Sequence, residues 1–128
     1  MTDYFKEIIT HIKEVEREMG NHYKENIYQY SLYNELNING IMCQTEVMVP
    51  IMYKFFYVGF ERADIVIYDN ERPTFIIELK SQNQRIGPKE INQLKKYMNN
   101  LKCTQAILVN FYETLEIITV NDGLCQKI

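Results

Sequence analysis

The chain is short of the residues that build thiolate metal centres and membrane segments. Its three cysteines, Cys43, Cys103 and Cys125, are odd in number, far apart, and never form a C-x-x-C pair. Histidine occurs only as His11 and His22. A zinc site needs about four such ligands at close spacing, so the zinc classes are excluded. Any metal would have to be a hard, oxygen-seeking ion such as Mg2+ or Mn2+. No apolar run approaches the roughly 18 residues of a membrane helix. The opening MTDYFKEIIT carries Asp3 and Glu7 where a signal sequence would be basic and then apolar. These absences predict a soluble, intracellular protein in a reducing compartment, with no membrane partner. Repeats, linkers and low-complexity segments are also missing, and 128 residues suit a single domain over residues 1–128.

Net positive charge is lacking too. At −3, the chain is not a general nucleic-acid coating protein. The average hides an asymmetry: from Lys80 to Lys102, six cations face only Glu90, which leaves +5 there and −8 elsewhere. Arg85, Lys89, Lys95 and Lys96 in that stretch are the candidate nucleic-acid contacts. Taken alone, the strip reads slightly better as a solvated helix face. What the chain does have is 46% apolar residues, enough for a hydrophobic core.

Apolar spacing then gives the elements. Phe5, Ile8, Ile9, Ile12, Val15 and Met19 recur at helical period, with Thr2 or Asp3 as N-cap and Gly20-Asn21 as the stop. A second helix is expected over about 23–36, burying Ile27, Leu32 and Leu36 before Asn39-Gly40. Strands are expected over 42–49 and 51–58, with Pro50 as a break between them, and over 62–68 and 74–80. Gly87-Pro88 opens a third helix that buries Ile91, Leu94, Met98 and Leu101. Two strands close the chain, over 105–111 and 114–120. The class is α+β, in the order ααββββαββ.

Chemistry concentrates in the strand TFIIELKS. Alternation places Ile76, Glu78 and Lys80 on one face and Phe75, Ile77 and Leu79 on the other. A carboxylate and an ammonium at the end of an apolar strand carry a desolvation cost that something should offset. Asp64, in RADIVIYD on the neighbouring strand, is separated from Glu78 by thirteen residues. Two carboxylates offer hard oxygen ligands to a dication, which neutralises a phosphate and acidifies water. Lys80 suits a cation that orients the attacking water and stabilises developing charge, rather than a general base. By itself D-x(13)-E-x-K is loose. A surface Glu78–Lys80 pair, with Asp64 ending a strand beside Arg62, satisfies it equally well.

Further motifs narrow the choice. Gly20-Asn21-His22-Tyr23-Lys24-Glu25-Asn26-Ile27-Tyr28 matches G-x-G-x-x-E-x-x-Y, with His22 in place of the second glycine. Gln44-Thr45-Glu46-Val47, Tyr53 and Gly59 follow, then Arg62-Ala63-Asp64, Glu78-Leu79-Lys80, Gln93-Leu94-Lys95-Lys96-Tyr97 and Val109-Asn110-Phe111. In this order, over about residues 8–111, the chain resembles the GxxExxY protein family, a branch of the PD-(D/E)XK nuclease-like superfamily. The resemblance implies a restriction-endonuclease-like core, with a mixed central sheet flanked by helices. It also implies that Glu25, Asp64, Glu78, Lys80 and Gln93 form the active centre, with Asp64, Glu78 and Glu25 holding Mg2+ or Mn2+. Glu25 would steady a water or a second ion, and Gln93 would contact the scissile phosphate or Lys80. Tyr97 is assigned to packing.

The expected function is therefore a metal-dependent nuclease acting on phosphodiester bonds, with DNA favoured over RNA and a homodimer expected by analogy. The alternative is a non-cleaving DNA-binding or structural interaction protein that keeps the nuclease fold. The ten tyrosines are scattered in sequence and are read as core or interface residues, not a base-stacking platform.

Overall fold

Helical spacing from Phe5 to Val15 yields α1 (Asp3–Met19), followed by α2 (Glu25–Ile38). The computed structural model describes residues 3–128, so the expected cap at Thr2 lies outside the described residues. Three strands come next: β1 (Cys43–Tyr53), β2 (Phe56–Asp69) and β3 (Arg72–Lys80). Helix α3 (Pro88–Leu101) leads to β4 (Gln105–Asn110), β5 (Glu116–Asn121) and β6 (Leu124–Lys127). All six strands form one sheet in chain order. Every pairing is antiparallel except β3 with β4, the pair that α3 connects. A parallel pair requires such a crossover.

The sheet is covered on both faces. Phe5, Ile8, Ile12 and Leu32 of α1 and α2 pack on Ile65, Ile77 and Leu79. Leu94, Tyr97 and Met98 of α3 pack on Val66, Ile76 and Leu108. The expected α+β class, with a mixed sheet flanked by helices, is what forms.

Two details of the strand order differ. Pro50 does not break a strand: β1 runs through it, because β1 is the sheet edge and needs no outward N–H there. The turn comes instead at Lys54, whose φ is 53°, and β2 continues through Gly59. Three strands therefore precede α3, not four. At the other end, β6 pairs with β5 across an Asp122-Gly123 turn with φ of 50° and 83°, the conformation that an Asp-Gly hairpin turn favours. Ile27 is exposed, and α2 buries Tyr28, Gln29, Leu32 and Leu36 instead.

Tyr28 latches the joint between the first two helices. Gly20 ends α1 at φ 70°, its N–H donating to Glu16 O at 2.8 Å. The Tyr28 hydroxyl donates to Gly20 O at 2.6 Å and accepts from Tyr23 N–H at 3.2 Å. Its ring stacks flat on Phe111, with centroids 4.4 Å apart. Tyr28→Phe keeps the stack but takes the donor from the half-buried Gly20 carbonyl. It should cost about 1–3 kcal/mol, read as a lower urea midpoint with unchanged slope.

Candidate active site

Strands β2 and β3 pair from Asp69 back to Ile65, opposite Ile77. Beyond that point two carboxylates replace the ladder. The Asp64 backbone N–H donates to Glu78 Oε1 at 2.7 Å, and the Leu79 N–H donates to Asp64 Oδ2 at 2.8 Å. Gln29 of α2 donates to the Asp64 carbonyl at 2.9 Å, which ties the helix layer to the same point. Each acid is thus fixed through one oxygen by the other's strand. Asp64 Oδ1 and Glu78 Oε2 make no hydrogen bond among the described residues and remain as hard donors.

A local reversal in β1 and β2 prepares this geometry. Ile65 and Ile67 face α1 and α2, and strict alternation would send Ala63 the same way. Ala63 packs instead with Val49 on the α3 side. The switch falls between the pairs Thr45–Ile65 and Val47–Ala63, where Glu46 takes φ 54°. Asp64 lies on the matching stretch of β2, so the sheet changes face at the acid itself.

The electrostatics follow from burial. Burial first, then the nearby Glu25 and Glu46, lift the Asp64 carboxyl from 3.8 to about 6, against the pull of the Leu79 N–H and Lys80. Glu78 is pushed well above the ordinary range, by burial first and then by Asp64. Glu25, at the first position of α2, is exposed to solvent over much of its surface. Crowding at its carboxyl still raises its pKa by desolvation, with Lys80 opposing and Glu46 assisting. Four of the five expected residues, Glu25, Asp64, Glu78 and Lys80, therefore share one electrostatic field.

Among the described residues, no three His, Cys, Asp or Glu side chains gather closely enough to cage an ion. Asp64 and Glu78 form a two-carboxylate set, and Glu25 stands beside it. Such a set fits Mg2+ or Mn2+, which are commonly held by one or two carboxylates and keep several waters.

The family model for the PD-(D/E)XK nuclease superfamily matches residues 2–120. The chain belongs to that superfamily. Its members generally use divalent metals, and their substrates are nucleic acids. The crystal structure of SSO0001 is similar, at 25% identity and a TM-score of 0.53, over 77% of this chain and 51% of that one. The chain thus spans about half the length of SSO0001. A search of curated proteins found no match. No helix among the described residues is long and apolar enough to cross a membrane.

Beside the acids of this superfamily domain lies a groove of about 630 Å³, lined by Lys80, Lys89, Gln93, Lys96, Glu61 and Glu90 among others. Gln93 Nε2 donates to Glu61 Oε2 at 3.3 Å, and the Tyr97 hydroxyl donates to the same oxygen at 3.3 Å. Gln93 thus shares the groove with Lys80 but is engaged by β2. The four candidate nucleic-acid contacts divide. Lys89 and Lys96 line the same groove as Lys80, whereas Lys95 borders a neighbouring recess with Ile51 and Asn99. Arg85 lines a separate cavity with Tyr112 and Lys127.

Three supporting residues had no role in the sequence reading, although Asn110 lies in the Val109-Asn110-Phe111 motif. Glu61 clamps α3, and buried Gln29 holds Asp64. Asn110 binds the loop after Lys80, accepting from Gln82 N–H at 3.1 Å and donating to the Gln82 and Gln84 carbonyls at 3.0 and 3.2 Å. A lone amide ending the apolar strand QAILVN was the available signal for Asn110. Glu61 and Gln29 gave none.

Proposed function

We propose that this domain is a metal-dependent nuclease of the GxxExxY branch, hydrolysing nucleic-acid phosphodiester bonds, with DNA favoured over RNA. The observation that carries the reading is the reciprocal clasp of Asp64 and Glu78, with Lys80 entering a basic groove beside it. Asp64 and Glu78 would hold Mg2+ or Mn2+, which supplies positive charge to the phosphate and acidifies the attacking water. Lys80 orients that water and stabilises charge developing on the phosphoryl oxygens. Lys89 and Lys96 bind the flanking backbone, Gln93 contacts the scissile phosphate, and Glu25 steadies a water at the edge. The free thiols of Cys43, Cys103 and Cys125 suit an intracellular, reducing compartment.

The test is a cleavage assay over single- and double-stranded DNA and RNA with Mg2+, Mn2+ or EDTA, run beside Lys80→Ala. Cleavage with either ion, absent in EDTA and lost in the variant, is the expected result. Binding without cleavage under every ion, unchanged in Lys80→Ala, would instead favour a non-cleaving nucleic-acid-binding or structural protein on the same fold.

A further inference from the structure

The β1–β2 hairpin outgrows the sheet. Strand β3 pairs with β2 only over its second half, from Ile65 to Asp69, so β1 from Val47 onward and β2 up to Ala63 have only each other as ladder partners. The root of this arm rests on α3 through Val49 and Glu61. Its tip rests on nothing: every residue from Met52 to Val58 is exposed, Phe55 at 96%.

The composition of the arm is unusual for a free surface. From Val47 to Phe60 the only charged residue is Lys54. Met48, Met52, Tyr53, Phe55, Phe56, Tyr57 and Phe60 are all large, apolar and exposed. At about 200 Å² for a fully exposed aromatic side chain, its five exposed rings offer about 700 Å². The rings lie on both faces of the two-stranded ribbon, since Tyr53 pairs with Phe56 and Met52 with Tyr57, so a partner must cover the tip and both faces to meet an area that approaches the roughly 800 Å² each side gives to a stable interface. Aromatics and methionine with few charges are the make-up of an interface centre.

We infer that the arm is the surface through which two copies of this chain associate, tip against tip in an isologous pair. A polyanion is the poorer occupant. The tip offers one cation, Lys54, already 5.4 Å from the centre of the Tyr53 ring, and Arg62 at the root lies over Phe60. The domain's phosphate-binding lysines line α3 instead. Pro50 on the outer edge of β1 removes an N–H from that edge, so the two copies meet through side-chain faces rather than by extending the sheet. The paired cations then lie among aromatic rings, which they attract. Dimerisation through the arm would brace β2, the strand that carries Glu61 and Asp64, in both copies.

This pairing does not depend on whether the site cuts, so it can fail while the nuclease reading stands, and the reverse. Light scattering after size exclusion, over a micromolar dilution series of the full chain, should give twice the chain mass. Phe55→Ser combined with Phe56→Ser should raise the dissociation constant by about 30-fold or more per ring, with an unchanged circular dichroism spectrum. Tyr57→Asp, made separately, should do the same. Ile38→Ser and Leu124→Ser, exposed apolar sites elsewhere, should leave the dimer intact. A wild-type chain that stays single at every concentration would overturn the inference. So would a dimer that survives both arm variants, or a single chain whose arm variants lose nucleic-acid binding.

Discussion

Lys80→Ala should slow metal-dependent strand cleavage by about 100- to 1000-fold under single-turnover conditions, the range for losing one positioned charge stabiliser. The loss should fall on kcat with little change in KM. Lys89 and Lys96 remain in the groove to bind the backbone, and an interaction made only in the transition state lowers kcat selectively. Asp64→Asn should be at least as damaging. It keeps an oxygen to accept the Leu79 N–H, so the strands stay clasped while one anionic donor disappears. Equal activity of either variant and the wild type would remove the substituted residue from the chemistry.

The same acids should make the metal-free protein less stable as pH rises. The folded chain retains protons on Asp64, up to about 6, and on Glu78, whose carboxyl is also raised by burial and by Asp64, after the unfolded chain has released them near its ordinary values. Stability is therefore fullest below about pH 4. It falls through the window up to about pH 6 for Asp64, and the raised Glu78 carboxyl adds a fall of the same sign. Facing the pair are Glu25 from α2, Glu46 from β1 and Lys80 on β3, and only the lysine opposes the trend. For Asp64, moving from 3.8 to about 6 corresponds to about 3 kcal/mol. Urea titrations in EDTA should find Asp64→Asn more stable than wild type by up to that amount at neutral pH, with the gap closing near pH 4. Mg2+ or Mn2+ should return stability to wild type alone, about 2.7 kcal/mol at a hundredfold excess over its dissociation constant. Wild type losing stability on acidification across this window would contradict the burial argument.

Several parts of this account were legible in the sequence, for reasons tied to chain geometry. Strand alternation put Glu78 and Lys80 on one face, and the turn at Asp69 and Asn70 brings Asp64 back beside Glu78. Gly87-Pro88 marked the start of α3, as Gly20 marked the end of α1. What escaped depends on tertiary contact. Pro50 breaks a strand only when both edges are paired, and the sequence does not say which edge is free. Gln29 is buried because it reaches the Asp64 carbonyl thirty-five residues away, which helical periodicity cannot anticipate. Glu61 carries no signal in the sequence because its partners, Gln93 and Tyr97, come from α3 more than thirty residues away. Of the ten tyrosines read as scattered core or interface residues, Tyr53 and Tyr57 stand exposed beside Phe55, Phe56 and Phe60, because β1 and β2 pair with each other beyond the rest of the sheet.

The most direct measurement is calorimetric titration of Mn2+ into the protein at mildly alkaline pH, where the ionised form of both buried acids is favoured. One saturable site in the wild type, lost in both Asp64→Asn and Glu78→Gln and only weakened in Glu25→Gln, is the expected result. No uptake at all, or the same uptake in all four proteins, would mean that the clasped carboxylates do not seat an ion.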